Sequence, residues 1–359
     1  MMSAGTSTPV PSGSGRLVSA SEDSPDLAEK VRFLRDPESY GTPASSVEAI
    51  ETHMAWVFLV GSHAYKIKKP VLRDMLDYRS LEDRFRVCSD EVRLNRRLAP
   101  DVYLGVVPLT WSKERGLSLA GGGVVVDWLV HMRRLPRSHM LDRMAAEGSL
   151  RVEDVEAAAR LLAEFYRSAS PVPFAPEEYG DSFHRGVAET AGALRDPAFG
   201  LSRPLVTHAA DALSGFLTGS SARLLDERAR EGRIIEAHGD LRPEHILMGP
   251  EPAVIDCLEF DRRLRLLDPA DELSFFAVEC SLLGQRWVGE RFRHIYSELT
   301  GDRPKEPLLG FYEAYRAFVR AKIAIWHLAD DGVRDHGHWR ARAVRYLEFA
   351  LRALDAVGR

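Results

Sequence analysis

His238-Gly239-Asp240-Leu241-Arg242-Pro243-Glu244-His245-Ile246-Leu247 is the stretch that decides the reading of this chain. A polar loop with one central carboxylate, Asp240, runs into an apolar segment. A second apolar run, Ala253-Val254-Ile255, then ends in Asp256, sixteen positions after Asp240. Arg233 to Ala237 and Ala253 to Asp256 read as short strands on either side of the loop. Two acidic side chains are thereby brought to strand ends. Such a pair suits chemistry in which one carboxylate takes a proton from a hydroxyl and the other holds a hard cation.

Working outward, the segment before this loop is helical. Val152 to Ser168 is amphipathic, with Val155, Leu161, Leu162, Phe165 and Tyr166 as core candidates, and Leu205 to Arg230 reads as one long helical region. Beyond the loop, Leu308 to Leu328 carries Phe311, Tyr315, Phe318, Ile323 and Trp326 near helical spacing, expected as core. Towards the N-terminus the pattern is strand-like. Ala55 to Val60, a turn at Gly61-Ser62-His63, and Ala64 to Lys69 form a hairpin, followed by a helix over Leu81 to Leu98 with Phe85, Cys88, Val92 and Leu94 apolar. Val102 to Leu109 and Val124 to Met132 are further strands, and Leu27 to Arg35 is a short helix. Strands first and helices afterwards, with two small strands inserted, predict an α+β protein with a small sheet-rich N-lobe and a larger helical C-lobe. The expected division is a disordered tail over residues 1–24, an N-lobe over 25–133 and a C-lobe over 134–359. The tail is rich in Ser, Gly, Pro and Thr, and its Gly13-Ser14-Gly15 is not a phosphate loop, because no Lys-Ser/Thr follows.

Composition narrows the class. The 359 residues are 45% hydrophobic and 28% charged, with a net charge of −5, which gives nucleic-acid binding no support. Three cysteines, Cys88, Cys257 and Cys280, show no metal-binding spacing and read as thiols in a reducing compartment. No stretch has the length and apolarity of a membrane span, and residues 1–24 lack the apolar centre of a secretory signal, so a cytoplasmic enzyme is expected.

The loop resembles the kinase pattern H-R-D-x-x-x-x-N, and Val254-Ile255-Asp256 resembles the strand whose aspartate binds metal in kinases. Together with Tyr65-Lys66-Ile67-Lys68-Lys69-Pro70, the Glu91 helix and Asp268-Pro269-Ala270-Asp271-Glu272-Leu273, these residues resemble the aminoglycoside phosphotransferase-like kinases, from about residue 27 onward. Trp56-Val57-Phe58-Leu59, Glu91 to Pro100 and Asp256 to Asp261 look like one uncharacterised bacterial branch of that family. Some of its members add a P-loop kinase domain; lacking G-x-x-x-x-G-K-[ST], this chain is expected to be a stand-alone version. The resemblance implies a two-lobed protein-kinase-like fold that uses ATP with Mg²⁺ or Mn²⁺ to phosphorylate a hydroxyl of a small-molecule acceptor. It implies Asp240 as catalytic base and Asp256 as principal metal ligand. It also implies Lys68 on the nucleotide phosphates, ahead of Lys66, with Glu91 as its brace. His131-Met132-Arg133-Arg134-Leu135-Pro136 resembles the hinge, so Met132, Arg133 and Arg134 are expected beside adenine. Three departures stand out. His245 replaces the family's second-metal Asn, as either a nitrogen ligand or a loop residue. Glu272 takes the place of an aspartate. A Gly-rich loop is represented only by Gly61. A pseudokinase-like nucleotide-binding scaffold therefore stays open as an alternative, as does a metal hydrolase built on His238, Asp240, His245 and Asp256.

Overall fold

The computed structural model describes residues 25–41, 46–73, 76–329 and 335–357. The expected tail over 1–24 and its Gly-Ser-Gly stretch lie outside the described residues. The chain forms two compact units. One holds the residues up to Arg96 together with Pro100–Arg134; the other holds Arg97–Ala99 with Leu135–Arg359.

Unit 1 begins with α1 (Leu27–Leu34), whose N-terminus is closed by a capping box between Asp26 and Glu29. Strands β1 (Val47–Glu51), β2 (Ala55–Val60) and β3 (His63–Lys68) follow, then a small antiparallel pair, β4 (Leu72–Arg73) and β5 (Leu76–Asp77). Helix α2 (Leu81–Asn95) starts at the Ser80 cap and leads to β6 (Tyr103–Ser112), β7 (Gly116–Leu119) and β8 (Val124–Arg133). The sheet is antiparallel in the order β1-β2-β3-β8-β6-β7. Phe58, Ile67, Leu109 and Leu129 project from its strands onto Leu34 of α1 and form the core. Asp127, 1% exposed, takes Lys30 Nζ from α1 at 2.8 Å and Arg84 Nε from α2 at 2.7 Å, which ties both helices to β8. A buried carboxylate needs such partners. The sequence showed one hairpin here, whereas β1–β2 and β6–β7 are hairpins as well. The first of these turns through Thr52-His53-Met54 without a glycine. Gly61, at φ 54°, serves the β2–β3 turn.

Unit 2 contains α3 (Leu141–Glu147), α4 (Val152–Ser168), α5 (Pro176–Leu194), α6 (Arg203–Thr218) and α7 (Arg223–Arg230). The short strands β9 (Ile235–Glu236), β10 (Ile246–Leu247), β11 (Ala253–Val254) and β12 (Leu266–Leu267) come next. Four more helices close the chain: α8 (Pro269–Leu282), α9 (Arg286–Thr300), α10 (Glu306–Trp326) and α11 (His336–Val357). The expected single helix over 205–230 is instead two. Gly219 leaves the helical conformation while its N–H still reaches Gly215 O, and a 3₁₀ turn separates α6 from α7. Trp326 is a second correction: it is 51% exposed, beneath Lys322, rather than part of the core. Phe85 of unit 1 is likewise 43% exposed, against Trp128.

Helix α8 is apolar on nearly every side and is buried from Pro269 to Cys280. Its acids are all paired. Asp268 binds Arg228 Nε at 2.6 Å, and Arg228 also binds Asp302. Asp271 binds Arg316, and Glu279 takes Arg320 Nε at 2.9 Å and the Tyr346 hydroxyl at 2.7 Å. Among the described residues no helix is long and apolar enough to cross a membrane.

Candidate active site

In unit 2 the segment after β9 is held by a carboxylate that the sequence flagged only as a substitution. Glu272, 1% exposed on α8, accepts hydrogen bonds from the backbone N–H groups of His238 (3.1 Å) and Gly239 (2.5 Å) and from the Tyr166 hydroxyl (2.7 Å). Three donors to one buried carboxylate fix the loop rigidly to the helix core. Gly239 has φ 89°, and a Cβ there would stand 3.0 Å from Arg265 Cγ and 3.2 Å from Leu258 Cβ, so the position requires glycine.

His238 is wholly buried. Its Nε2–H donates to Ile255 O (2.9 Å), and its Nδ1 accepts the Asp240 N–H (3.3 Å). Burial pushes its imidazole below the ordinary value, favouring this neutral form. The Cys257 thiol donates to His238 O at 3.1 Å, while Arg97 donates to Glu236 O, Ala237 O and Cys257 Sγ. His238 and Cys257 are thus struts that register the Asp240 loop against the Asp256 strand.

The Asp240 and Asp256 side chains are partly exposed, at 28% and 45%. Asp256 has φ 61°, in the left-handed region that a non-glycine residue enters only at a cost. His245 lies between the two, its side chain 7% exposed. Its Nδ1–H donates to Asp240 O at 2.9 Å, so Nε2 carries the lone pair, 3.5 Å from Asp256 Oδ2. Two cis ligands of one ion, with bonds of about 2.1 Å, stand about 3.0 Å apart when perpendicular and about 3.4 Å when tetrahedral. The carboxylate–imidazole pair therefore fits a shared divalent cation. As the side chains stand, no group of three or more such donors among the described residues is arranged to hold one. Arg242 fills the space: Nε on Asp240 Oδ2 at 3.1 Å, Nη1 on Glu244 Oε1 at 2.8 Å and Nη2 on His245 Nε2 at 3.0 Å.

In unit 1, Lys66 and Lys68 lie on the same face of β3, and both meet Glu91 of α2. Lys66 Nζ is 2.8 Å from Oε1 and Lys68 Nζ is 2.5 Å from Oε2. Glu91 is fully buried and Lys68 is 2% exposed, whereas the Lys66 side chain is 15% exposed. The accessible ammonium thus belongs to Lys66, although the sequence ranked Lys68 first. Met132, Arg133 and Arg134 end β8 and lead out of it. The Arg133 and Arg134 N–H groups donate within unit 1, to Val102 O and Ser62 O, both at 2.8 Å. A nucleotide beside these two residues would have to use their carbonyls or side chains.

The sequence offered no hint of Arg242 in the loop or of Arg97, in the turn after α2, as a donor to the β9 segment, since neither charge has a spacing that marks a role.

No model of a known protein family matches the chain. Similar solved structures include a choline/ethanolamine kinase family protein from Mesorhizobium loti (15% identity, 90% of this chain and 97% of that one, TM-score 0.47). Others are a choline kinase from Cryptosporidium parvum (10%, 87% and 90%, 0.49) and a thermostable mutant of the aminoglycoside phosphotransferase APH(4)-Ia (15%, 88% and 98%, 0.49). In sequence, the chain is 35% identical over 284 residues to uncharacterized proteins of Mycobacterium tuberculosis and Mycobacterium bovis; the match takes in 77% of this chain and 54% of each relative, so the chain spans about half the length of the curated relatives it matches.

Proposed function

We propose that the protein is a small-molecule kinase that moves the γ-phosphoryl group of ATP to a hydroxyl of its acceptor. The observation that carries this reading is the Asp240 loop. A solvent-facing carboxylate follows a backbone turn, His238-Gly239, that is clamped to a buried glutamate, and a second carboxylate in left-handed conformation faces the same imidazole. Phosphoryl transfer asks a protein chiefly for positioned charges. In this assignment Asp240 accepts the proton of the acceptor hydroxyl as the oxygen attacks phosphorus and the bond to ADP breaks. Asp256 is the anionic ligand for Mg²⁺ or Mn²⁺, with His245 beside it; the ion, when bound, neutralises phosphate charge. Lys66 presents its ammonium to the phosphates, Lys68 and Glu91 hold it in place, and Met132 to Arg134 receive the base.

A screen of hydroxylated metabolites for ATP-dependent ADP release tests the proposal, with Asp240→Asn as control. The variant should bind ATP as the native protein does and lose roughly 10²–10⁴-fold in turnover. Undiminished turnover on a confirmed acceptor removes Asp240 from the role. A second reading, a nucleotide-binding protein with little turnover, is favoured by one contact, Arg242 Nε on the Asp240 carboxylate. ATP binding with no ADP release from any acceptor would select it.

A further inference from the structure

We propose that Arg242 is a positioning residue: an internal cation that competes with a metal ion for the site and, on leaving, frees base and ligand together. Its guanidinium holds the two atoms the reaction needs. Nε binds Asp240 Oδ2, one oxygen of the carboxylate assigned as base, and Nη2 donates to His245 Nε2. That nitrogen has one lone pair to offer, since the ring's proton sits on Nδ1 and is donated to Asp240 O. An N–H and a metal ion cannot share one lone pair. The guanidinium is also always protonated, so it would repel a divalent ion only a few ångströms away. Asp256 Oδ2, 3.5 Å from the same nitrogen, is the second donor a metal would use. With Arg242 in place only Asp256 would be left to hold an ion; with Arg242 swung out, Asp256 and His245 would both be available to it.

The surroundings favour release. Glu244 Oε1 receives the third arm of Arg242 at 2.8 Å, and its side chain is 36% exposed. The guanidinium therefore keeps a partner at the rim when it lets go of the inner two. Because one group restrains both Asp240 and His245, cation loading and release of the base are the same event. While Arg242 holds it, Asp240 is a charge-neutralised carboxylate rather than an exposed base. The inference takes the identity of base and ligand from the phosphotransferase reading.

The test uses the intact protein and Mn²⁺ alone, followed by the electron paramagnetic resonance of the unbound ion. Arg242→Gln should bind Mn²⁺ at least about tenfold more tightly than the native protein. The gain should shrink at least about threefold in the His245→Ala background, where no lone pair is contested and only the charge repulsion of Arg242 remains. Equal or weaker binding by Arg242→Gln overturns the proposal. So does a gain that is undiminished without His245, which would report charge repulsion only. Thermal melts confirm that each variant is folded. Should Arg242→Gln not fold, Arg242→Lys, whose single ammonium cannot span Asp240 and His245, should tighten binding by about threefold or more, and unchanged affinity counts against the idea. No nucleotide or acceptor enters the titration. A protein that binds Mn²⁺ as expected but never releases ADP overturns the kinase reading alone; one that turns over while Arg242→Gln leaves Mn²⁺ affinity unchanged overturns this inference alone.

Discussion

Replacing Glu272 by Gln is the sharpest probe of how the loop is held. The native carboxylate accepts from His238 N–H, Gly239 N–H and the Tyr166 hydroxyl inside a site that is 1% exposed. Each hydrogen bond to a buried charged acceptor contributes roughly 1.5–3 kcal/mol. Gln keeps one acceptor oxygen but turns an NH₂ group towards a donor, so at least one bond is lost and one buried donor is stranded. The expected loss is about 2–4 kcal/mol, which corresponds to roughly 30- to 1,000-fold faster hydrogen exchange at the His238 and Gly239 amides. Exchange measured by NMR or mass spectrometry reads this directly, without an acceptor substrate. Turnover should fall too, since a displacement of about 1 Å at a reacting group costs on the order of 10² in rate. Glu272→Asp shortens the side chain by one methylene and should lie between the two. Unchanged exchange at both amides in Glu272→Gln would show that the loop is fixed by something else, such as the His238–Ile255 contact.

Other outcomes are equally specific. Lys66→Met should weaken ATP binding at little cost in stability, whereas Lys68→Met should mainly lower the melting temperature because it removes a fully buried partner of Glu91; calorimetry giving the reverse order would restore Lys68 to the phosphates. His238 titrates below its ordinary value in the folded protein, so the unfolded chain binds the extra proton first. Stability from this group is therefore complete above about pH 6.5 and declines as pH falls below it. Urea melts between pH 5 and 8 should show that slope, and His238→Asn should flatten it. Burial pushes the Cys88 and Cys257 thiols up to about 12, so a thiol reagent at pH 8 should modify neither until the protein is unfolded.

What could be read from the sequence follows from where local pattern decides structure. The hairpin containing Lys66 and Lys68, helix α4 and the Asp240 loop announce themselves through period-two spacing, amphipathic spacing and a polar loop between apolar runs. Helix α8 does not, because it is buried on every side and its apolar residues show no helical period. The break after α6 depends on one glycine whose effect is set by packing. The pairing of Glu91 with two lysines was half legible: their spacing put both on one face, but only the fold buries one and leaves the other within reach of solvent. Glu272 and Arg242 escaped for a common reason. Their roles rest on partners that lie elsewhere in the fold or on the geometry of a turn, and neither is encoded by spacing alone.

The acids of helix α8 also constrain how this chain can diverge. Asp268 answers to Arg228 on α7, Asp271 to Arg316 on α10, and Glu279 to Arg320 on α10 and Tyr346 on α11. Losing one partner of such a buried pair costs about 3–5 kcal/mol, while exchanging both for well-packed apolar residues is often neutral. Drift at these positions should therefore proceed by joint replacements, with single changes purged. Relatives should vary freely along the solvent faces of the surrounding helices while Arg228, Asp268 and Asp302 appear or disappear as a set, and an alignment deep enough to show Asp302 lost with Arg228 retained would identify lineages in which a new side chain has taken up the stranded charge.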